Sequence, residues 1–405
     1  MQKPASIDPA FESATDVART NGRNILYVIG SLELGGAERQ LVLITPKLRA
    51  LGWRPTIYCL SHRGAQADQV LQAGVEVLEP PFQWARKIPF TKALQFLTNF
   101  PKLLAIMLLR RPAITHFFLP GAYVVGAPLA LMARIPVLIM SRRSLNVYRQ
   151  RWPRMHKVEL WLHKRMTAIL GNSDRVVRQL LELEGCPAEK THLIYNGIAL
   201  EGYGNWTKRS DTRAALQIED TTFVAVLVAN LIAYKGHADL IAALAKICEA
   251  LPRPWAVLCV GRDDGLLAAL TERTFELGLS EHVRFLGART DVPDLLAAAD
   301  LGLLCSHQEG FSNAILEGMA AGLPMVVTDV GGNAEAVVDG ETGLVVPAKD
   351  PAALGAAILE LARDPDRAKA MGAAGRRRAE EQFSMERCVA EYDALYRRLT
   401  DTGRC

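Results

Sequence analysis

The sequence predicts an α/β protein with two parallel sheets, because short apolar strands alternate with helical segments through most of its 405 residues. The alternation occurs twice, and the polar stretch 201–221 is expected to link the two sets. Two sets of this kind predict two Rossmann-like domains. Half of the residues are hydrophobic, which is enough for two sizeable cores.

Each strand is predicted from its length and composition, since a short apolar run between turn residues is typical of a buried parallel strand. The first set is ILYVIG (25–30), PTIYCL (55–60), VEVLEP (75–80), ITHFFL (114–119), VLIMS (137–141) and AILGNS (168–173), with HLIYN (192–196) as a further candidate. The second set is FVAVLVAN (223–230), PWAVLCVG (254–261), VRFLG (283–287), LGLLCS (301–306), PMVVTDV (324–330) and GLVVP (343–347). Residues 351–400 predict amphipathic helices, with Leu354, Ile358 and Leu361 on one face.

Neither a secretory signal nor a membrane span is expected. Residues 1–22 are polar, lack the apolar core of a signal peptide and are expected to form a flexible tail. The uncharged stretch 112–133 contains prolines and glycines, which fit a buried strand, a turn and a helix start better than a transmembrane helix. Seven cysteines without metal-ligand spacing favour a reducing compartment, and Cys59, Cys259 and Cys305 lie inside predicted strands.

The net charge of +4 hides an asymmetry between the two halves of the chain. Residues 1–200 contain 26 Lys and Arg against 13 Asp and Glu, whereas residues 201–405 contain 21 against 30. Basic residues are mixed with apolar and aromatic ones in segments 84–111 and 142–165, which suits contact with anionic lipid or a lipid diphosphate. A core helix with a solvated basic face is the alternative. Nucleic acid is not expected as a partner, because no aromatic–basic recognition motif accompanies the charge.

The most informative segment is EGFSNAILE, from Glu309 to Glu317, between two predicted strands. The apolar spacing after Asn313 predicts a helix, and Ser312 is expected to cap it. Free N–H groups at such a helix start, with the positive end of the helix dipole, suit a phosphate. The two carboxylates at the carboxyl end of a parallel sheet suit the hydroxyls of a sugar or ribose. An ordinary helix with a surface glutamate at each end is the alternative.

This segment is part of a longer stretch, from VRFLG to GGNAE (283–335), which resembles the family-4 retaining glycosyltransferases. Three other segments match the same family in the right order: GGAERQ (35–40), the block GNSDRVVRQLLELEGCPAEKTHLIYNGI (171–198) and VANLIAYKGH (228–237). The resemblance covers residues 24 to 400 and implies the GT-B fold, two Rossmann-like domains that face each other across a cleft. The expected divisions are a tail at 1–22, an acceptor-side domain at 23–205, a nucleotide-sugar domain at 222–380 and a terminal helix at 381–405 that packs back on the first domain.

The resemblance implies a nucleoside-diphosphate sugar as the donor, bound by the second domain. Glu309 is expected to bind the sugar, Glu317 the ribose hydroxyls and Lys235 the diphosphate. The implied catalytic residues are Glu309, Lys235 and His116. The implied donor-binding residues are Gly35, Gly36, Asn230, Lys235, Gly310, Phe311, Ser312, Asn313, Glu317 and Arg289.

The chain departs from the family pattern at two positions. Many relatives carry an arginine five residues before the lysine as a second diphosphate contact, and this chain has Asn230 there. Arg262 and Arg289 are the two candidates to supply the missing charge. Some relatives carry two histidines separated by one residue in the first domain, whereas His116 is followed by two phenylalanines. A hydrogen-bonded core histidine is therefore the alternative to a catalytic one.

The glycine pair Gly35–Gly36 follows the first strand and leads into a helix, so its backbone N–H groups are expected to approach a phosphate or sugar. No metal site is expected, because Asp239 and Asp329 are isolated rather than paired. We therefore expect no cofactor and no metal, with the helix start and Lys235 in place of a divalent ion.

The sequence thus predicts a retaining glycosyltransferase that moves a sugar to a lipid-linked or polysaccharide acceptor in cell-envelope or exopolysaccharide biosynthesis. It is expected in the cytoplasm, peripheral at the anionic inner face of the cell membrane. Two alternatives remain: a nucleotide-sugar epimerase of the same fold, and a non-catalytic carbohydrate-binding relative. The sugar, the base, the acceptor, the linkage and the oligomeric state are not encoded in these motifs.

Overall fold

The computed structural model of the protein describes residues 23–81, 89–146 and 152–401. Within them the chain forms two compact units. Unit 1 extends to Gly171 and also contains Val177–Ile194 and the chain from Val389 onward, and unit 2 is formed by Asn172–Val176 and Tyr195–Cys388. The predicted tail 1–22 and the residues 84, 86 and 87 of the basic–aromatic segment lie outside the described residues.

Unit 1 is built on a sheet of seven parallel strands in the order β3-β2-β1-β4-β5-β6-β7. Apolar residues dominate these strands because both faces of the sheet are covered, and every residue of β4 and β5 is buried. The strands are β1 (Asn24–Ile29), β2 (Arg54–Cys59), β3 (Glu76–Leu78), β4 (Ile114–Phe118), β5 (Val137–Arg142), β6 (Ala168–Gly171) and β7 (Thr191–Leu193).

The helices of the first half alternate with these strands, as crossover connections between parallel strands require. They are α1 (Gly36–Ala50), α2 (Ala67–Gln72), α3 (Pro89–Arg110), α4 (Pro120–Met132), α5 (Pro153–His163) and α6 (Asp174–Glu182). Stretch 112–133 forms β4 and the start and body of α4, as predicted. In the part of the chain that the structure describes, no helix is both long and apolar enough to cross a membrane.

Unit 2 is built on a sheet of six parallel strands in the order β10-β9-β8-β11-β12-β13. The strands are β8 (Phe223–Val228), β9 (Trp255–Val260), β10 (Val283–Gly287), β11 (Leu301–Leu304), β12 (Met325–Thr328) and β13 (Gly343–Val346). All thirteen predicted strands are present, and two parallel sheets with flanking helices confirm the predicted α/β class.

The helices of the second half cover both faces of this sheet or continue beyond it. Leu354, Ile358 and Leu361 are all buried on α13, as their spacing predicts. The helices are α7 (Arg209–Ala215), α8 (His237–Ile247), α9 (Leu267–Glu276), α10 (Val292–Ala298), α11 (Asn313–Ala320), α12 (Asn333–Ala336), α13 (Pro351–Arg363), α14 (Pro365–Gln382) and α15 (Met385–Asp401).

The stretch 201–221, expected as a linker, is instead folded within unit 2. It contains the 3₁₀ turn Trp206–Lys208 and helix α7. The fully buried guanidinium of Arg213 explains this, because it donates hydrogen bonds to the carbonyl oxygens of Ala298, Asp220 and Thr222. Arg213 therefore anchors this stretch to unit 2, although most of its other polar residues are exposed.

Candidate functional site

The candidate site lies at the carboxyl edge of the unit 2 sheet, between β8 and β11. The strand order runs outward in opposite directions from these two neighbours, so their loops diverge and leave a crevice. Such a topological switch point is where open α/β sheets bind ligands. Lys235 follows β8 and Glu309 follows β11, and the topology therefore brings together two residues predicted from separate motifs.

Lys235 and Glu309 form a close ion pair. The distance between Lys235 Nζ and Glu309 Oε1 is 2.6 Å, and Ser306 Oγ donates a second hydrogen bond to the same carboxylate oxygen at 2.7 Å. The two side chains retain 18% and 11% of their accessible surface. The pair is thus ordered by its surroundings and still reachable by a ligand. Ser306 was not assigned a role from the sequence, although it ends a predicted strand.

The two loops that carry this pair are held against each other. Gly236 adopts φ +74°, and a Cβ at this position would collide with the Cys305 carbonyl. Only glycine therefore permits this approach. The backbone N–H of His307 donates to the Tyr234 carbonyl at 2.7 Å, and His307 Nε2 lies 2.7 Å from Asp239 Oδ2.

His237, the residue after Gly236, is 2% exposed. Burial, with a smaller contribution from the Lys235 charge, lowers the pKa of His237 to about 4. The imidazole is therefore neutral near pH 7. Sequence reasoning assigned this histidine no role.

The loop before α11 is fixed by backbone and side-chain contacts. The backbone N–H of Gly332 donates to the Gly310 carbonyl at 2.7 Å. Asn196 Nδ2 donates to the Phe311 carbonyl at 3.0 Å and to Asn313 Oδ1 at 2.7 Å. Asn196 belongs to the YNGI motif, but nothing in that motif indicates that it holds this loop. The contacts keep the start of α11 in one conformation.

Two of the predicted donor residues in this loop do not behave as expected. Ser312 occupies the cap position of α11, but its side chain makes no capping hydrogen bond, so the predicted cap is wrong. The ring of Phe311 is 4% exposed and packs 4.9 Å from the ring of Tyr195 and 5.2 Å from that of Phe383. The Phe311 side chain is therefore part of the core, and only its backbone belongs to the surface of the loop before α11.

Glu317 lies on α11, two turns from Glu309 along the chain, and is 4% exposed. A carboxylate so deeply placed needs polar partners. The helix thus carries its acidic residue into the interior of unit 2 instead of displaying it on the surface, which argues against the alternative of two ordinary surface glutamates.

Asn230 and the two candidate arginines lie on three adjacent strand ends. Asn230 Oδ1 accepts a hydrogen bond from the backbone N–H of Arg262 at 3.1 Å. The Arg262 guanidinium pairs with Asp264, with Nε at 2.9 Å from Oδ1. The Arg289 guanidinium pairs in the same way with Asp291, with Nε at 2.8 Å from Oδ1. Both arginines are therefore held by an aspartate two residues further on.

The predicted glycine pair of unit 1 lies at the start of α1, at the carboxyl end of β1. The carboxylate of Glu38 folds back onto Gly35, where a Cβ would collide with it. Burial raises the pKa of Glu38, while the nearby charge of Arg143 acts in the opposite direction. The Glu38 carboxylate of the first turn thus lies against the helix start at Gly35.

His116 is completely buried in unit 1. Its Nδ1 lies 2.7 Å from the Tyr396 hydroxyl and its Nε2 lies 2.7 Å from Ser141 Oγ. Burial, and to a lesser degree the charge of Arg143, lowers the pKa of His116 well below its ordinary value. With both nitrogens bonded and no exposed atoms, His116 has the geometry of the core histidine that was the alternative to a catalytic one.

A second charged cluster, here called the Arg142 cluster, is sealed inside unit 1. Arg142 ends β5, and its Nη2 lies 3.0 Å from Glu184 Oε2 and 3.4 Å from Glu159 Oε1. His163 Nε2 and Asn146 Nδ2 also bond Glu184, at 2.9 and 2.8 Å. Burial alone would raise the pKa of Glu184, but the bonds from His163 and Asn146 and the Arg142 charge outweigh it, and the pKa is lowered.

Two further features bear on the chemistry. A cavity of about 590 Å³ lies beside Trp206, Phe223 and Leu323, at the amino edge of the unit 2 sheet, and it contains none of the predicted donor residues. Among the described residues, no group of three His, Cys, Asp or Glu is arranged to hold a metal ion. Metal-independent chemistry stays a prediction.

Sequence models of two protein families match the chain in tandem. The model described as "Glycosyltransferase Family 4" matches residues 34–201, and the model described as "Glycosyl transferases group 1" matches residues 208–378. The second match contains Lys235, Glu309 and Glu317 together.

Curated relatives match more than half of the chain. The chain is 30% identical over 212 residues to N-acetyl-alpha-D-glucosaminyl L-malate synthase of Bacillus anthracis, which covers 52% of this chain and 54% of the relative. It is 28% identical over 245 residues to the lipopolysaccharide core biosynthesis mannosyltransferase LpsB of Rhizobium meliloti, covering 59% of this chain and 68% of the relative. The chain thus spans about half the length of the first of these relatives.

Among solved structures, the chain resembles Anabaena HepE in complex with UDP-glucose, with a TM-score of 0.80 and 26% identity over 92% of this chain and 99% of that one. The likeness extends over both halves of the molecule and confirms the predicted GT-B fold.

Proposed function

Because the chain belongs to the family-4 glycosyltransferases, as its motifs predicted, we propose that it is a retaining glycosyltransferase. Its donor would be a nucleoside-diphosphate sugar, and its acceptor a lipid-linked or polysaccharide glycan of the cell envelope or of an exopolysaccharide. The Rhizobium meliloti relative, a lipopolysaccharide core biosynthesis mannosyltransferase, supports this acceptor class. The UDP-glucose complex of HepE makes a uridine nucleotide the first donor to test.

The observation that carries the proposal is the Lys235–Glu309 pair beside the start of α11. A diphosphate needs a cation and N–H donors, and Lys235 and the first turn of α11 supply both. A sugar needs hydrogen-bond acceptors, and a carboxylate such as Glu309 provides them. When the diphosphate takes the Lys235 ammonium, the Glu309 carboxylate is released to bind sugar hydroxyls.

The reaction needs no covalent enzyme intermediate. The bond between the anomeric carbon and the diphosphate oxygen breaks, the acceptor oxygen bonds to the same carbon from the same face, and the acceptor proton passes to the departing diphosphate. The protein's part is to orient the sugar and to stabilise the charge on the leaving group. Lys235 and the N-terminus of α11 perform the second task, and Glu309 performs the first.

We propose that this chemistry is independent of divalent metal ions, because Lys235 and the fixed dipole of α11 take the place of a cation. Transfer is expected to continue in excess EDTA. Loss of activity on chelation, restored by Mg²⁺ or Mn²⁺, would refute this part of the proposal.

We further propose a cytoplasmic protein peripheral to an anionic membrane, and α5 of unit 1 supplies the surface. Between Pro80 and Ser173 the sequence has 15 Lys and Arg and one acid, Glu159, which is buried. The exposed face of α5 carries Lys157 and Trp161, Lys164 follows directly after the helix, and the Arg165 guanidinium lies 3.7 Å from the centre of the Trp161 ring. A basic face with an exposed aromatic ring is typical of helices that lie on anionic lipid.

The first experiment is a panel of nucleotide sugars tested for thermal stabilisation of the full chain. A ligand that binds the native state at 100 times its Kd stabilises it by about 2.7 kcal/mol. We expect one or more nucleoside-diphosphate sugars to raise the Tm and the matching free sugars not to.

The release of free nucleoside diphosphate separates the alternatives. A transferase releases it when an acceptor glycan is present and transfers the sugar to that glycan. An epimerase converts the donor without any acceptor, and a carbohydrate binder gives stabilisation without turnover. Either of these two results would contradict the proposed function.

A further inference from the structure

The candidate donor site is short of positive charge. Residues 229–236 after β8 and residues 305–313 after β11 contain one Lys or Arg between them, Lys235. That lysine already faces the carboxylate of Glu309. A nucleoside diphosphate carries at least two negative charges, so a second cation is needed for a well-matched site.

Hydrogen bonds at Arg262 join the loop after β9 to the loop after β8. The backbone N–H of Arg262 donates to Asn230 Oδ1 at 3.1 Å, and the backbone N–H of Leu231 donates to the Arg262 carbonyl at 2.9 Å. Gly261 makes this approach possible, because a Cβ there would collide with the Ala229 carbonyl. The Cα of Arg262 is thus fixed beside the chain that carries Asn230 and Lys235.

The strand order separates the two candidate arginines. Arg262 follows β9, the direct neighbour of β8, whereas Arg289 follows β10, one strand further out. Neighbouring strands lie about 4.8 Å apart, so the start of the Arg289 side chain is displaced by about twice that spacing. The Arg262 side chain therefore starts nearer to the end of β8 than the Arg289 side chain does.

The Arg262 side chain is also available for exchange. Its guanidinium is 46% exposed and is held by Asp264, which belongs to its own loop. Exposed ion pairs contribute little to stability, and a guanidinium binds phosphate oxygens in a two-pronged geometry that a lysine lacks. A diphosphate can therefore replace Asp264 as the partner of the Arg262 guanidinium with little loss of stability.

We propose that Arg262 is the second diphosphate-binding cation of this protein, supplied from the loop after β9 while Asn230 at the end of β8 positions its backbone. The inference rests on the proposed function, since it concerns the nucleoside diphosphate of the same site. Asn230 then serves as an anchor for the arginine rather than as a contact to the donor.

The test is a titration of the full-length chain with UDP, the probe that lacks the sugar, and with uridine, the probe that lacks the phosphates. Arg262→Gln should weaken UDP binding by about 10- to 100-fold, as for the loss of a charged hydrogen bond, and leave uridine binding unchanged. Arg262→Lys should recover part of the loss. Arg273→Gln, which removes an exposed arginine paired with Glu276 on α9, is the matched control and should bind UDP normally.

A double variant that moves the positive charge from position 262 to position 230 gives a more specific test. Asn230→Arg in the Arg262→Gln background should restore UDP affinity, because the second cation returns to the end of β8. Unchanged UDP affinity in Arg262→Gln, or a loss that instead follows Arg289→Gln, overturns the inference. The unsubstituted chain separates this failure from that of the proposed function: if it binds no nucleoside diphosphate or nucleotide sugar at all, the proposed function itself fails.

Discussion

The Lys235–Glu309 pair of unit 2 and the Arg142 cluster of unit 1 use the same chemistry in different surroundings. Both place a cation against carboxylates after a parallel strand or at its end. The Lys235 and Glu309 side chains keep 18% and 11% of their surface, whereas those of Arg142, Glu159 and Glu184 keep 1% or less. Exposure therefore determines which pair can exchange partners with a ligand and which one only holds the fold.

The hydrogen-bond partners of the Arg142 cluster and of the Lys235–Glu309 pair lead to the same conclusion. The Arg142 cluster joins β5, α5 and the chain after α6, and the Tyr123 hydroxyl lies 3.1 Å from His163 Nδ1. The side chains of Arg142, Glu159 and Glu184 are buried, so this network holds elements of unit 1 together and is closed to a ligand. Lys235 and Glu309 are joined mainly to each other and to Ser306. Because the Lys235–Glu309 pair has few other hydrogen bonds, a substrate can separate its two side chains.

The largest expected effect comes from breaking the sealed cluster. Arg142→Met should destabilise the protein by about 3–5 kcal/mol, because it leaves buried carboxylates without their cation. The midpoint of urea unfolding measures this change. Arg253→Met, which removes an exposed pair with Glu249, is the control and should change the midpoint little. A loss below about 1 kcal/mol for Arg142→Met would show that the cluster is not a structural necessity.

Removing the cation of the Lys235–Glu309 pair should lower catalytic efficiency and leave the stability nearly unchanged. Lys235→Ala should lower kcat/KM by about 10- to 150-fold, equivalent to roughly 1.5–3 kcal/mol of transition-state stabilisation from a charged hydrogen bond. Steady-state assays with the donor found in the panel measure it, and the unfolding midpoint should stay close to that of the unsubstituted protein. Lys246→Ala, an exposed lysine on α8, is the control. Normal kcat/KM for Lys235→Ala would remove Lys235 from the site.

Acid should weaken both units through their buried histidines. His116 in unit 1 and His237 in unit 2 have lowered pKa values in the folded protein, mainly because they are buried. The unfolded chain therefore binds protons first as the pH falls below about 6.5. The two neutral histidines make their full contribution to the free energy of unfolding above that pH. The free energy of unfolding then falls toward pH 4 by up to about 1.4 kcal/mol per pH unit for each histidine.

Urea unfolding between pH 7.5 and 5 measures this slope. His237→Gln removes one titrating group and should reduce the pH dependence without abolishing it, because His116 remains. An identical slope for the variant and the unsubstituted protein would mean that His237 is not held neutral by the fold.

The smallest expected effect per residue concerns the exposed face of α5. Each lysine near an anionic membrane surface contributes about 1 kcal/mol of attraction, which salt screens over about 8 Å at physiological ionic strength. Lys157→Ser and Lys164→Ser together should weaken binding to vesicles that contain anionic lipid and leave nucleotide-sugar affinity intact. Vesicle sedimentation at low and high salt measures it, with Lys246→Ser as the control. Equal binding of both variants would exclude this face.

The strands were predicted well because they are encoded locally. Runs of apolar residues give each strand of the two sheets, and the buried Leu354, Ile358 and Leu361 follow from helical spacing. Lys235 and Glu309 were predicted as one site because each belongs to a recognisable motif, although 74 residues separate them. Resemblance, rather than periodicity, joined them.

Three predictions concern contacts that form only in the folded chain. His116 was predicted as a catalytic candidate with a core histidine as the alternative, and the hydrogen bond between its Nδ1 and Tyr396, 280 residues further on, favours the alternative. The polar stretch 201–221 was taken as a linker, but Arg213 buries its charge among carbonyl groups of unit 2. Ser312 has the residue type of a cap without the capping bond. None of these outcomes leaves a trace in local composition.

The sequence by itself determined the α/β class, the thirteen strands and the glycine and glutamate motifs, because hydrophobic periodicity and turn chemistry act over a few residues. Tertiary structure alone decided which charges are buried and which are accessible, since the exposure of Arg142 and of Lys235 depends on what packs around each of them. It also decided that Asn230 holds the backbone of Arg262, because parallel pairing makes neighbours of strand ends that lie 32 residues apart in sequence. Burial and strand order are properties of the assembled sheet, and no short segment contains them.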